Sequence, residues 1–234
     1  TNGVTGANGH DVIDLTASDA MVDRVEIAEN ISRVIQIGND LTLVYGDDNQ
    51  VLLRNYFAGT QANLVEFVIN GVVADTVQLL ADLEIWGTPN PDQLIGNAGN
   101  NIIGGMEGND QIFGGAGQDT LYGNEGDDLL DGGVGADTLV GALGNDSYYI
   151  DDVNDQVIEL LGEGIDHIYT ALDNYTLSAN VEVLHQQGSA DITGYGNALD
   201  NLMYGNAGKN ILQSGAGNDL LDGGLNADTL SGGT

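Results

Sequence analysis

From Leu94 onward a large apolar residue returns at every ninth position: Leu94, Ile103, Ile112, Leu121, Leu130, Leu139 and Tyr148. Between these positions the chain is polar and rich in glycine, and the polar residues keep phase as well. Read in nines from Gly87, the stretch is GTPNPDQLI, GNAGNNIIG, GMEGNDQIF, GGAGQDTLY, GNEGDDLLD, GGVGADTLV and GALGNDSYY. Glycine stands first and usually fourth, Asp or Asn sixth, and the apolar residue eighth. One such unit buries almost nothing, so the repeat predicts a stack in which neighbours build a shared narrow core. Six residues turn and three extend, and two units complete one turn of a flattened right-handed helix of parallel strands. Position 8 then points inward, above its counterpart 18 residues away.

The rest of the chain divides around this array. Residues 6–14, GANGHDVID, fit the same nine-residue template. From Val25 to Ile85 the runs VEI, RVIQI, LTLVY, QVLLRNYF and LVEFVI read as short strands separated by GND, GDDN and AGTQAN, with TVQLLADL at 76–83 the best helix candidate. Trp86 is placed either to cover the end of the following stack or to pack in an ordinary core. After Tyr149 the period lapses, although YYI, QVIEL, HIYTAL, NYTL, VEVLH and DIT remain strand-like and LGEGIDHIY is a degenerate unit. The period restarts with GNALDNLMY, GNAGKNILQ, SGAGNDLLD and GGLNADTLS. The expected organisation is a β-rich module over 1–86, carrying one N-terminal nonapeptide, then a roll over 87–234. Within the roll, repeats occupy 87–149, irregular coils 150–195 and repeats 196–234. The fold class expected is therefore all-β: a right-handed parallel β-roll, or β-solenoid, behind a small β-rich module. The pattern begins and stops partway through, as expected of a fragment of something longer.

Charge changes the picture. Thirty-six acidic residues face four basic ones, for a formal charge of -32, while 41% of residues are hydrophobic. The hydrophobic content is too high for permanent disorder, but the self-repulsion of a compact state demands cations. Folding conditional on a bound cation reconciles the two. The same acidity argues against nucleic acid and anionic membrane surfaces as partners, and no apolar run long enough to insert in a membrane occurs. With no cysteine, disulfide and thiolate chemistry is unavailable.

The sixth positions supply the candidate chemistry. Because successive units alternate sides, they sort into two ladders: Asp92, Asp110, Asp128 and Asp146 on one edge, Asn101, Asp119 and Asp137 on the other. In the later array Asn201 pairs with Asp219 and Asn210 with Asp228; Asp166 and Asp11 hold the equivalent position in the degenerate and N-terminal units. Calcium takes six to eight hard oxygen ligands from carboxylates and carbonyls, which stacked turns provide, whereas magnesium demands a rigid octahedron and keeps its waters. Several calcium ions between successive turns are expected, each carboxylate inside a ladder serving two, with weaker binding where Asn replaces Asp. Three histidines, His10, His167 and His185, are dispersed and read as solvated or strand-packed. No nucleophile elbow, zinc-protease motif or phosphate loop occurs, and carboxylates committed to calcium cannot serve as general acids. The segment is expected not to be an enzyme.

The units GGAGQDTLY and GMEGNDQIF resemble the RTX, or haemolysin-type calcium-binding, family of Gram-negative bacteria. The segment from Gly144 to Asn201 is similar to the irregular linker between RTX arrays, and VEIAENISRVIQIGNDLTLVYGDDNQVLLRNYFAG with LVEFVINGVVADTVQLLADL to the related module that often precedes them. Asn101, Asn201 and Asn210 depart from the pattern at position 6, and Asn90, Leu199 and Asn226 at position 4. The resemblance implies a parallel β-roll, export by the type I secretion machinery and folding outside the cell once calcium is abundant, hence a secreted or cell-surface location. It also implies a larger parent: an adhesin with a cell-surface or polysaccharide target, which is the reading preferred here, or a secreted hydrolase, protease or polysaccharide-modifying enzyme.

Overall fold

The computed structural model describes residues 10–14, 23–27, 31–37, 40–45, 49–54, 65–69, 72–73 and 83–233. The chain divides into two compact units, Thr1–Trp86 and Gly87–Thr234, and no helix occurs among the described residues. Residues 76–82, most of the helix candidate, lie outside the described residues.

The first unit is built of β1 (His10–Asp14), β2 (Asp23–Ile27), β3 (Ile31–Ile37), β4 (Asp40–Tyr45), β5 (Asn49–Arg54), β6 (Val65–Ile69), β7 (Val72–Val73) and β8 (Glu84–Trp86). Strands β3, β4 and β5 form an antiparallel meander, with β1 parallel to β5 and β8 parallel to β3. A second group sets β2 parallel to β6, which pairs with β7 antiparallel. The alternation of LTLVY appears in β4, where Leu41 and Leu43 are fully buried on one face.

In the second unit nearly every strand pairs with the strand two positions on in the chain. One sheet runs unbroken through β9 (Gln93–Ile95), β11 (Gln111–Ala116), β13 (Leu129–Val134), β15 (Ser147–Ile150), β17 (His167–Thr170), β19 (Val183–Gln186), β21 (Leu202–Tyr204) and β23 (Leu220–Asp222). The opposite side stacks β10 (Ile102–Glu107), β12 (Thr120–Glu125), β14 (Thr138–Leu143) and β16 (Gln156–Ile158). It then restarts as β18 (Tyr175–Thr176), β20 (Thr193–Tyr195), β22 (Ile211–Gln213) and β24 (Thr229–Ser231). All of these pairings are parallel, so the unit is a parallel β-roll, and the irregular coils belong to it.

The core is the eighth-position stack. Leu94, Ile112, Leu130, Tyr148, Ile168, Leu184 and Met203 lie in one register column, and Ile103, Leu121 and Leu139 in the other. Each is buried, contributing roughly 1.5–3 kcal/mol relative to exposure. From β10 to β15 the strands of the first array are longer than three residues. β10 to β14 continue into the first three positions of the next unit, where Met106, Asn124 and Ala142 pair in register although each has φ above 70°. The turn thus also hydrogen-bonds coil to coil, as in Gly108 N–H donating to the Glu125 carbonyl at 2.8 Å.

Candidate functional site

In five turns of the first array, from Gly108 to Gly144, the fourth residue sits directly on the coil below. Gly126 has φ +135°, and a Cβ there would strike the Gly108 carbonyl; Gly135 and Gly144 are placed alike over Gly117 and Gly126. Only glycine combines that angle with that approach. First-position glycine opens space of another kind. A Cβ on Gly105, Gly114 or Gly123 would fall onto Oδ2 of Asp110, Asp119 or Asp128 in the same unit and against the carbonyl of Gly123, Gly132 or Gly141 one coil on. A carboxylate oxygen and a carbonyl oxygen therefore converge beside each of these glycines.

The sixth positions form the two ladders through their own backbones. The N–H of Asp92 donates to Oδ1 of Asp110, Asp110 to Asp128, Asp128 to Asp146 and Asp146 to Asp166, at 2.7–2.9 Å. On the other edge Asn101 donates to Asp119, Asp119 to Asp137 and Asp137 to Asp155, at 2.7–3.0 Å. Oδ1 is thus used within the stack. Oδ2 of Asp110, Asp119, Asp128, Asp137, Asp146 and Asp166 is buried with no hydrogen-bond partner. One oxygen per carboxylate, not two, remains for a cation, which changes the expected sharing of each carboxylate between two ions.

Six inaccessible, unpartnered carboxylate oxygens cannot remain anionic in a protein interior without compensation. Burial raises the Asp128 and Asp137 carboxyls to about 6 against the hydrogen bond each accepts from the coil below, and neighbouring carboxylates add to the rise. Asp146 is pushed by burial to about 8, with Asp128, Asp166 and Glu159 contributing charge repulsion. Hard oxygens beside main-chain carbonyls suit calcium.

The remaining predicted positions are closed differently. Asp92 is half-buried, and its Oδ2 accepts the N–H and hydroxyl of Thr88 at 2.6 and 2.8 Å. Asn101, Asn201 and Asn210 each accept the N–H of the Asn at position 2 of the same unit and donate Nδ2–H to its Oδ1. That second Asn, Asn97, Asn197 or Asn206, also accepts the N–H of position 4. An interlocked amide pair thus stands where the turns of Asp110, Asp119, Asp128, Asp137 and Asp146 have an unpartnered carboxylate oxygen, and the three GNA units share it. Asp219 is half-buried and accepts the Ser214 hydroxyl at Oδ2, 2.7 Å, while its Oδ1 takes the Asn201 N–H. Asp228 is half-buried and accepts from Asn210. Asp11 lies in β1 opposite Val51; its side chain falls outside the described part of the structure.

Three acidic residues join the ladders that the nine-residue template does not reach. Asp155 ends one ladder, its Oδ2 taking the N–H groups of Asp151 and Asp152; its place eighteen residues after Asp137 was a usable signal. Glu182 accepts the Asp166 N–H at 3.0 Å and ends the other. Glu159 is buried and accepts the Tyr148 hydroxyl. The structure also brings together two histidines that looked dispersed: His167 Nδ1 and His185 Nε2 are 3.1 Å apart. His185 stacks between Tyr169 and Tyr204, and Tyr149 extends the column.

Residues 86–121, 117–148 and 195–233 match the family model of the RTX calcium-binding nonapeptide repeat, in four copies. No curated protein matches the chain.

Proposed function

We propose that the chain, whose residues 86–148 and 195–233 match the RTX calcium-binding repeat family, is a non-catalytic module that calcium folds, carried by a secreted parent protein. The observation behind this reading is the set of six buried, unpartnered Oδ2 atoms from Asp110 to Asp166. Calcium held by these oxygens and the adjacent glycine carbonyls removes the repulsion that opposes stacking, so binding free energy becomes folding free energy. A chain unfolded where calcium is scarce and folded where it is abundant suits export by the type I secretion machinery, as the family resemblance implies. Within its parent the roll serves as a calcium-stiffened segment of an adhesin. A catalytic domain encoded upstream would instead make it the accessory module of a secreted hydrolase, protease or polysaccharide-modifying enzyme.

Circular dichroism in chelator and in millimolar calcium tests the central claim. The expected result is coil in chelator and β signal with compaction on adding calcium. A spectrum unchanged by chelation overturns it.

A further inference from the structure

Where the first array meets the irregular coils, the structure departs from the repeat in a way that points to a different cation site. Tyr148 occupies the eighth position, where the preceding units have Leu or Ile. Its fully buried ring carries a hydroxyl that donates to Glu159, a residue outside every nonapeptide. Glu159 is brought there by β16, the last strand of its sheet, which pairs with β14. The Asn180 side chain donates to the Glu159 carbonyl at 2.8 Å, tying this residue to the next coil.

One carboxylate oxygen from each of Asp146, Glu159 and Asp166 lies within 4.8 Å of the other two. The three residues are 0%, 5% and 1% exposed. Each retains a buried oxygen with no partner: Oδ2 of Asp146, Oε2 of Glu159 and Oδ2 of Asp166. Oxygens bound to one calcium ion at roughly 2.3–2.6 Å can be at most about 4.6–5.2 Å apart, so a single ion spans this group. An all-oxygen, all-carboxylate set selects a hard divalent cation over a transition metal.

We propose that Asp146, Glu159 and Asp166 form a three-carboxylate calcium site, in which Glu159 joins two ladder carboxylates, that locks the irregular coils onto the end of the first array. It rests on the reading that the roll binds calcium, and it adds a ligand, Glu159, that no repeat contributes. Calcium affinity rises with ligand charge, and the turns around Asp110, Asp119 and Asp128 each converge one carboxylate on a carbonyl. The junction site is therefore filled first in a titration. Tyr148 is a positioning residue, holding one oxygen of Glu159 so that the other faces its neighbours.

Calorimetric calcium titration and native mass spectrometry of the whole chain and of Glu159→Gln test the proposal. Gln keeps an acceptor for Tyr148 but removes the charge. The expected result is one fewer tightly bound ion, with the tightest phase weakened by at least the roughly tenfold that loss of an outer-shell partner costs, and the later phases unchanged. Tyr148→Phe, which keeps all three carboxylates, is expected to retain the ion count. An unchanged count and unchanged tightest phase in Glu159→Gln overturns the junction site while leaving calcium binding by the repeats intact; a wild-type chain that binds no calcium overturns both readings. If Glu159→Gln does not fold, an anomalous-scattering map of calcium-loaded wild-type crystals decides. A peak among the three carboxylates is expected, and peaks confined to the repeat turns overturn the proposal.

Discussion

Asp119 donates its backbone N–H to Oδ1 of Asp137, eighteen residues further on, at 2.7 Å. The second oxygen of Asp137 is left buried with no partner. Each of the six ladder carboxylates with an orphaned oxygen thereby does two things: one oxygen binds coil to coil, and the other is reserved for a cation. Charge and stacking are coupled at the same residue.

Substituting Asp119 should therefore cost more than substituting Asp92. Asp119→Ala removes a cation ligand together with the Oδ1 that accepts the Asn101 N–H, whereas Oδ2 of the half-buried Asp92 is already satisfied by Thr88. The calcium concentration at half-folding is expected to rise about tenfold or more in Asp119→Ala, equivalent to roughly 1.4 kcal/mol per bound ion, and distinctly less in Asp92→Ala. Circular dichroism titration compares them; equal midpoints contradict this account of the ladder.

Asn210→Asp tests the amide pair. The substitution sets a carboxylate against Oδ1 of Asn206, which cannot turn its amide without losing the Gly208 N–H bond at 2.7 Å. At low calcium the variant is expected to be less stable by roughly 1–3 kcal/mol. At saturating calcium it should bind one ion more than wild type, read by native mass spectrometry. A variant with wild-type stability at low calcium and no added ion at saturation would show that the pair does not stand in for a cation.

Acid should promote folding of the metal-free chain. Burial holds Asp146 at about 8, Glu159 at about 7 and Asp166 at about 6, above the value near 4 of an unfolded carboxyl. A raised folded-state pKa means that the folded chain binds more protons. Stability of the metal-free roll is thus lowest above about pH 8, grows as pH falls from 8 to 6, and is fully gained below about 4. The formal charge of -32 shrinks over the same interval and acts in the same direction. With calcium saturating, the dependence should reverse, because protons compete for the ligands. Circular dichroism in chelator from pH 8 down to pH 5 checks this; a β signal that does not rise as pH falls counts against it.

Two glycines with left-handed backbones should differ in tolerance. A methyl added at Gly162, φ +84°, would meet nothing within 4 Å, so Gly162→Ala carries only backbone strain of about 1 kcal/mol. In Gly126→Ala the added methyl meets the Gly108 carbonyl as well, adding an overpacking cost of roughly 1–3 kcal/mol. Denaturant unfolding in saturating calcium is expected to rank Gly126→Ala well below Gly162→Ala; equal stabilities would mean that the coils can part without cost at Gly126.

Periodicity alone determined the parallel roll, the inward column from Leu94 to Tyr148 and the sorting of Asp110, Asp128 and Asp146 from Asp119 and Asp137. All of these follow from the spacing of side chains along a repeated backbone, and spacing is written in the chain. Which carboxylates need a cation was not legible there. Asp119 and Asp219 hold the same sixth position, yet one has an orphaned buried oxygen and the other a serine hydroxyl at 2.7 Å. Asn210 and Asp128 differ by one atom type, but only the folded turn brings Asn206 onto the amide. Glu159 belongs to no repeat, and only the course of an irregular coil carries it to Asp146 and Asp166. Demand for a cation depends on whether an oxygen is buried and on what else reaches it, and both are properties of chain segments meeting in space.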